Sequence, residues 1–335
     1  MSKIMLLDCT LRDGGYVNNH NFGEENIKRI IHYLNQANID IIECGYLYDN
    51  IEDNNDKTKY NTFKQAEKNI TKNNRYTIML SGMKYNISNL PKKVNEKIDT
   101  IRLAFHKKDI KKAIEYAKEI IKKGYKIYFQ PQVIMTYTEK EIIDMIKVVN
   151  ELDAECVSIV DTFGQMTPND VKEKTLLFDK YLKKSIKIGL HLHNNLQSAF
   201  TNAVIFIDTI SEDRDIVIDT SLLGMGRGAG NLPTELLANY LNSKYKKEYN
   251  MKPILEACDS IISKIKREHE WGYSLPYFLS AINGIHPSYI IYLLDKGVNN
   301  SIDINDLIKK IPDSKKEIYD IEYADRIYSI YKKNN

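Results

Sequence analysis

Two histidines, His191 and His193, stand either side of one leucine in the run GLHLHNN. On a strand, residues two apart point to the same face, so both imidazoles can reach a single ion. The competing reading is a pair of core histidines satisfied by hydrogen bonds. Asp13, in LDCTLRDGG, offers a carboxylate that could complete a ligand set. One Asp and two His with open positions suit Mn²⁺, Mg²⁺, Zn²⁺ or Fe²⁺. An ion held this way can take the carboxylate and carbonyl oxygens of a 2-oxo acid and act as a Lewis acid on its enolate. Arg12, next to Asp13, can share the charge that develops on that enolate; its plainer role is a salt bridge with Glu43.

Such groups need a frame. The chain alternates short apolar runs with longer amphipathic stretches. The runs are Ile4–Leu7, Ile39–Cys44, Tyr76–Leu80, Thr100–Ala104, Lys126–Phe129, Cys156–Val160, Ile186–Leu190 and Ile216–Asp219. Helix-like segments at Glu24–Asn38, Lys108–Lys123, Glu139–Leu152, Asn169–Lys183, Asn195–Thr209 and Pro233–Asn242 separate them. The interval between Leu80 and Thr100 holds at most a short helix over Asn86–Val94. This alternation predicts a parallel sheet buried on both faces. Eight strand–helix units close into a (β/α)₈ TIM barrel, whose chemistry sits at the C-terminal ends of its strands. An open doubly wound sheet would carry a glycine-rich turn after its first strand, which CTLRDGGY is not.

The expected strand ends carry further polar residues. His106 could bind substrate or simply face solvent. Asp161 is expected to hold another polar group in place. Gln165 could touch a substrate carboxylate, and the amides of Gly224–Gly230 could bind an anion. After Asn242 the segments read as helices only. The expected division is a catalytic barrel over residues 1–245 and a helical C-terminal extension over 246–335. Trp271, Tyr273 and Tyr277 in that extension suit an oligomer interface, a lid or plain core, and a homo-oligomer is expected.

Length fits this frame: 335 residues against the roughly 250 of a barrel. The charge of +3, from 48 basic and 45 acidic residues, argues against a nucleic-acid partner. The lysine runs Lys107–Lys112 and Lys244–Lys247 read as solvated helix faces. No run approaches the roughly 20 apolar residues of a membrane span. Cys9, Cys44, Cys156 and Cys258 form no C-x-x-C pair, as in a reducing compartment, so a cytoplasmic location is expected.

The stretches LDCTLRDGG, IIECGY, VDTFG, GLHLHNN and GMGRGAGNLPTE, in this order over about residues 4–240, resemble the DRE-TIM metallolyase superfamily, whose barrel is HMG-CoA-lyase-like. Its Asp, Arg and Glu look like Asp13, Arg12 and Glu43. HLHNNLQSAFTNA and GRGAGN are most similar to the 4-hydroxy-2-oxovalerate aldolases. That resemblance implies cleavage of a 4-hydroxy-2-oxo acid into pyruvate and an aldehyde with a divalent metal, commonly Mn²⁺. It implies Asp13, His191 and His193 as ligands, Arg12 steadying the enolate, and Asn231 as a ligand or water-binding residue. One position departs from the pattern. Where those aldolases keep a histidine base, this chain has Tyr16, a poor base near neutrality with an ordinary pKa of about 10. His20 is the nearby substitute. The alternative within the superfamily is an acyl-CoA-dependent Claisen condensation of the homocitrate or isopropylmalate synthase type. Those enzymes usually carry Glu-Gln where this chain has Gly15-Tyr16.

Overall fold

Each apolar run becomes a parallel strand in the computed structural model, which describes residues 3–70, 75–81 and 84–334. The strands are β1 (Ile4–Asp8), β2 (Ile41–Leu47), β3 (Arg75–Ser81), β4 (Ile98–Phe105), β5 (Lys126–Pro131), β6 (Cys156–Asp161), β7 (Lys187–Leu192) and β8 (Ile216–Thr220). Sequence neighbours pair with one another, and β1 pairs with both β2 (Leu7 opposite Ile41) and β8 (Ile4 opposite Ile216). The sheet is therefore a closed TIM barrel, as expected.

Helices cover its outside. α1 (Glu24–Gln36) buries Ile27, Ile30, Ile31 and Leu34, a stripe at helical spacing. A two-residue strand, Lys59–Tyr60, lies along β2 before the short α2 (Phe63–Glu67). Among the described residues between β3 and β4 there is only a 3₁₀ turn, Ile87–Asn89, none of it buried. The reason is local: Asn86 caps the turn, Pro91 follows it, and among the described residues of this stretch Tyr85 and Leu90 are the buried ones. α3 (Ile110–Lys122), α4 (Glu139–Glu151), α5 (Pro168–Tyr181), α6 (Ala199–Thr209) and α7 (Thr234–Tyr245) complete the ring. Thr138 and Thr167 close capping boxes at the starts of α4 and α5.

The strand interior is layered. Met5, Leu7, Ile41, Tyr128, Cys156 and Val217 pack inside the barrel as an apolar floor. Two residues further along, on the same face of each strand, the character changes. Ile41 gives way to Glu43, Tyr128 to Gln130, Cys156 to Ser158 and Val217 to Asp219, all of them buried. His191 and Arg102 join this polar layer from β7 and β4. Burying so many charges in one layer is costly unless each is paired, so the layer is where chemistry is to be sought.

After α7 the chain stays helical. α8 (Met251–Ala257), a π turn and α9 (Ser263–Glu268) pack with Trp271 into the barrel's own hydrophobic core. Trp271 is core, its indole N–H donating to the Leu223 carbonyl (3.0 Å), whereas Tyr273 is exposed. α10 (Leu275–Ile282), α11 (Ser288–Asp295), α12 (Ser301–Ile308), α13 (Asp313–Lys316) and α14 (Ile321–Asn334) build a second core around Ile285, Tyr289, Ile290, Leu293, Ile304 and Ile327. Among the described residues, no helix is long and apolar enough to cross a membrane.

Candidate active site

The loop after β1 is pinned before it reaches the site. Asp8, the last residue of β1, accepts from the Thr10 N–H (2.9 Å) and the Thr234 hydroxyl (2.7 Å). The Cys9 carbonyl then gathers the N–H groups of Arg12 (3.0 Å) and Asp13 (2.8 Å) into a tight turn. This turn aims Arg12 and Asp13 over the polar layer. Gly226 clears space for the next contact: a Cβ there would lie 2.5 Å from Asn231 Nδ2. That amide donates to Asp13 Oδ2 (2.7 Å) and to the Met225 carbonyl (3.2 Å).

Asp13, His191 and His193 each offer a ligand atom, and these atoms lie within 4.8 Å of one another. Each imidazole has its Nδ1 engaged: His191 by Asp219 Oδ2 (2.9 Å), His193 by the Asp161 carbonyl (3.1 Å). Such contacts orient the rings and leave Nε2 to serve as the ligand atom, that of His193 lying 3.4 Å from Asp13 Oδ2. Burial keeps His191 below its ordinary pKa despite the pull of Asp219, so it stays neutral and able to ligate.

One chain of ion pairs links the first ligand to the second. Asp13 Oδ1 meets Arg12 Nη1 (2.5 Å), and Arg12 Nε meets Glu43 Oε2 (2.7 Å). Glu43 Oε2 also takes Arg102 Nη1 (2.9 Å), and Arg102 Nη2 pairs with Asp219, the partner of His191. Burial opposes ionisation of Asp13, but Arg12 and then His193 outweigh it and hold the carboxyl well below the usual range. Asp219 is likewise held low against burial by Arg102 and His191. Three carboxylates and two guanidiniums leave one buried negative charge. Asn231 Oδ1, Glu43 Oε1 and Asp219 Oδ1 also lack partners among the described residues. The donor set, the excess charge and the unmet Asn231 oxygen beside Asp13 all fit a divalent cation.

Arg12, Asp13, His191 and His193 line a cavity of about 390 Å³ with Tyr16, Tyr46, Met79, Lys84, His106, Gln132, Thr162 and Arg227. The extension closes it: His286 and Ile318 are part of the wall. Arg12 and Tyr16 reach the cavity, but Tyr16 is engaged. Its hydroxyl bonds the Tyr46 hydroxyl (2.8 Å), and the Arg227 guanidinium sits 4.0 Å from its ring centroid. Glu43 lies beneath, acting through Arg12. His20 is not brought to the cavity. Its ring backs onto Gly15, where a Cβ would meet Nδ1 at 2.3 Å, and Nδ1 contacts the Thr58 hydroxyl (3.3 Å). Burial and then Lys59 push it down to about 3, too weak a base for neutral pH.

His106 lines the cavity, with Nδ1 unpartnered among the described residues. Asp161 does not face it: its side chain takes the amide N–H groups of Gln165 (2.9 Å) and Met166 (3.0 Å), and its carbonyl holds His193. Asp161 is also a candidate for substrate binding by its sequence, but its carboxylate is spent on the backbone of the following turn. Gln165 and Asn231 are not on the cavity wall either; Gln165 packs against Gly284 of the extension, and Asn231 reaches Asp13. Three site residues went unassigned from the sequence, Arg102, Asp219 and Arg227, while the sequence offers His286 only as a tail residue that could face the site. Arg102 and Asp219 had a signal, a charge inside an otherwise apolar strand, which must find a partner when buried.

The HMGL-like family model matches residues 3–261. The 4-hydroxy-2-oxovalerate aldolase of Carboxydothermus hydrogenoformans is 26% identical, over 91% of this chain and 90% of its own. That of Bacillus thuringiensis is 23% identical, over 91% and 89%. The N-terminal domain of a Bacteroides vulgatus protein assigned as an aldolase superimposes with a TM-score of 0.74 at 28% identity, over 92% of this chain and 100% of that one. The HMG-CoA lyase of Brucella melitensis shares the fold, with a TM-score of 0.63 at 15% identity, over 80% and 100%. The chain thus belongs to the HMGL-like family and is an enzyme of its aldolase and carbon–carbon lyase kind.

Proposed function

We propose that this chain is a divalent-metal-dependent aldolase that joins or splits a 4-hydroxy-2-oxo acid through a pyruvate-like enolate. The observation that carries this is the trio Asp13, His191 and His193, with both Nδ1 atoms taken, beside Arg12 at the cavity. Those three residues, with Asn231 beside them, would hold the cation, Mn²⁺ being the first to test. When bound, such a cation supplies Lewis-acid stabilisation of negative charge. Arg12 is fixed by Glu43 and Asp13, which leaves Nη2 without a partner among the described residues and at the wall to hydrogen-bond the developing enolate oxygen. Its charge is secure, because the carboxylates around it outweigh burial. His106 is available to hydrogen-bond substrate. Lining by His286 and Ile318 limits the entry of water to the reacting carbon.

The four free buried cysteines favour a cytoplasmic setting. Exposed Tyr273, Leu275 and Ile282 favour a homo-oligomer, testable by light scattering. The reaction is tested by measuring pyruvate released from a panel of 4-hydroxy-2-oxo acids, with and without Mn²⁺. Metal-dependent release is the expected result. Absent or metal-independent turnover across the panel sinks the proposal, and free CoA released from acetyl-CoA plus 2-oxo acids would point to Claisen condensation instead.

A further inference from the structure

Arg227 is a half-buried cation on the cavity wall with no carboxylate at ion-pair distance among the described residues. Its neighbours are neutral: the Tyr16 ring under its guanidinium at 4.0 Å and His286 Nε2 at 3.3 Å from Nη1. His286 stays uncharged there, because burial and then Arg227 push it down to about 3. Tyr16 is itself fixed by Tyr46, so the guanidinium rests on a fixed platform. A partly desolvated arginine without a counter-ion is costly unless something anionic arrives to pair with it. Two more cations on the wall, the exposed Lys84 and Lys108, also lack carboxylate partners among the described residues, whose acids on the wall are Asp13 and Asp109. Asp13 is committed to Arg12 and the ligand trio.

From this we infer that the aldehyde half of the substrate carries its own anionic group, a carboxylate or a phosphate, which pairs with Arg227. The inference rests on the aldolase reading and narrows its substrate class. It separates this chain from its curated relatives, named for 4-hydroxy-2-oxovalerate, whose aldehyde half is uncharged. It also gives Tyr16 a purpose: its ring face carries the guanidinium. The bond-forming step balances without any further reactant. The pyruvate methyl carbon loses a proton, the enolate π pair forms the new bond to the aldehyde carbon, and the carbonyl π pair moves to oxygen, which takes up a proton.

The test uses the full-length, Mn²⁺-loaded protein. Deuterium exchange into the pyruvate methyl group reports enolate formation without any aldehyde. Aldol addition is then compared for propanal, succinic semialdehyde and glyceraldehyde 3-phosphate. The expected result is exchange in all preparations of the wild type and a kcat/KM about 10- to 100-fold higher for one of the anionic aldehydes. Succinic semialdehyde ahead identifies a carboxylate, and the triose phosphate ahead a phosphate. Arg227→Met should collapse the anionic-to-neutral ratio towards one, through KM for the aldehyde, and Arg227→Lys should recover part of it. Exchange with equal use of neutral and anionic aldehydes overturns the inference and leaves the aldolase reading standing. Absence of exchange overturns that reading itself. If Arg227→Met raises KM for pyruvate in the exchange assay, the guanidinium seats the pyruvate carboxylate and the inference fails. Should Arg227→Met not fold, the wild-type comparison alone decides.

Discussion

Two buried arginine clusters lie at opposite ends of the barrel, and they are built differently. At the N-terminal end, Arg214 precedes β8 and is fully buried. All five of its N–H groups are used: Nε on Asp179 Oδ1 (2.9 Å), Nη1 on the carbonyls of Lys183 and Ile186, and Nη2 on those of Asp179 (3.1 Å) and Leu182 (2.8 Å). At the C-terminal end, Arg12 and Arg102 meet three carboxylates, and Arg102 Nε, Glu43 Oε1 and Asp219 Oδ1 are left unpaired among the described residues. Saturation marks a cluster whose work is to hold the fold. Unmet atoms and an unbalanced charge mark one that expects a visitor.

The sharpest way to break this contrast is to cut each arginine. Arg214→Ala should cost about 3–5 kcal/mol of stability, since it strands four carbonyls and Asp179, while turnover per folded molecule stays at the wild-type level. Urea unfolding and active-site-normalised kcat check this together. Arg12→Ala should instead be marked by its loss of turnover, lowering kcat about 10²- to 10³-fold per folded molecule. Equal losses of stability and turnover in both variants would erase the distinction. A finer probe is Asp219→Asn, which weakens the hold on His191 Nδ1. Mn²⁺ affinity, measured by calorimetry, should fall about 10- to 100-fold with the far-ultraviolet spectrum unchanged.

The smallest effect lies in pH. Burial opposes ionisation of Asp179, but Ser211, Arg214 and Lys184 outweigh it and keep the carboxyl below its ordinary value of 3.8. A lowered folded-state value means the stabilisation is complete above the ordinary value and is lost as pH falls through the lowered one. Asp179→Asn should therefore flatten the acid limb of the stability curve below about pH 4 and leave its slope above that unchanged. Melting temperatures taken between pH 2 and pH 6 would show it, and an unchanged acid limb would count against this pairing.

What could be read from the sequence follows from what is local. The strands were legible because both of their faces are buried, which writes them as unbroken apolar runs. His191 and His193 were legible because strand periodicity alone puts them on one face. The bond from Arg102 to Asp219 was not, since the two residues are 117 positions apart and only barrel closure brings β4 and β8 across from one another. Nor was the stacking of Arg227 on Tyr16, which joins the loop after β8 to the loop after β1. His20 looked eligible by proximity in the chain, yet the turn that aims Asp13 inward carries His20 behind Gly15. Chain distance measured nothing useful there.

His286 and Ile318 come from near the end of the chain, yet they wall the cavity that Asp13 opens. In the proposed reaction an enolate waits in that space for its aldehyde, and a proton from water would return it to pyruvate. The helical tail therefore governs a partition. It sets how many activated molecules go forward to a carbon–carbon bond and how many relapse. A variant with a loosened tail could enolise pyruvate as fast as before and still make little product.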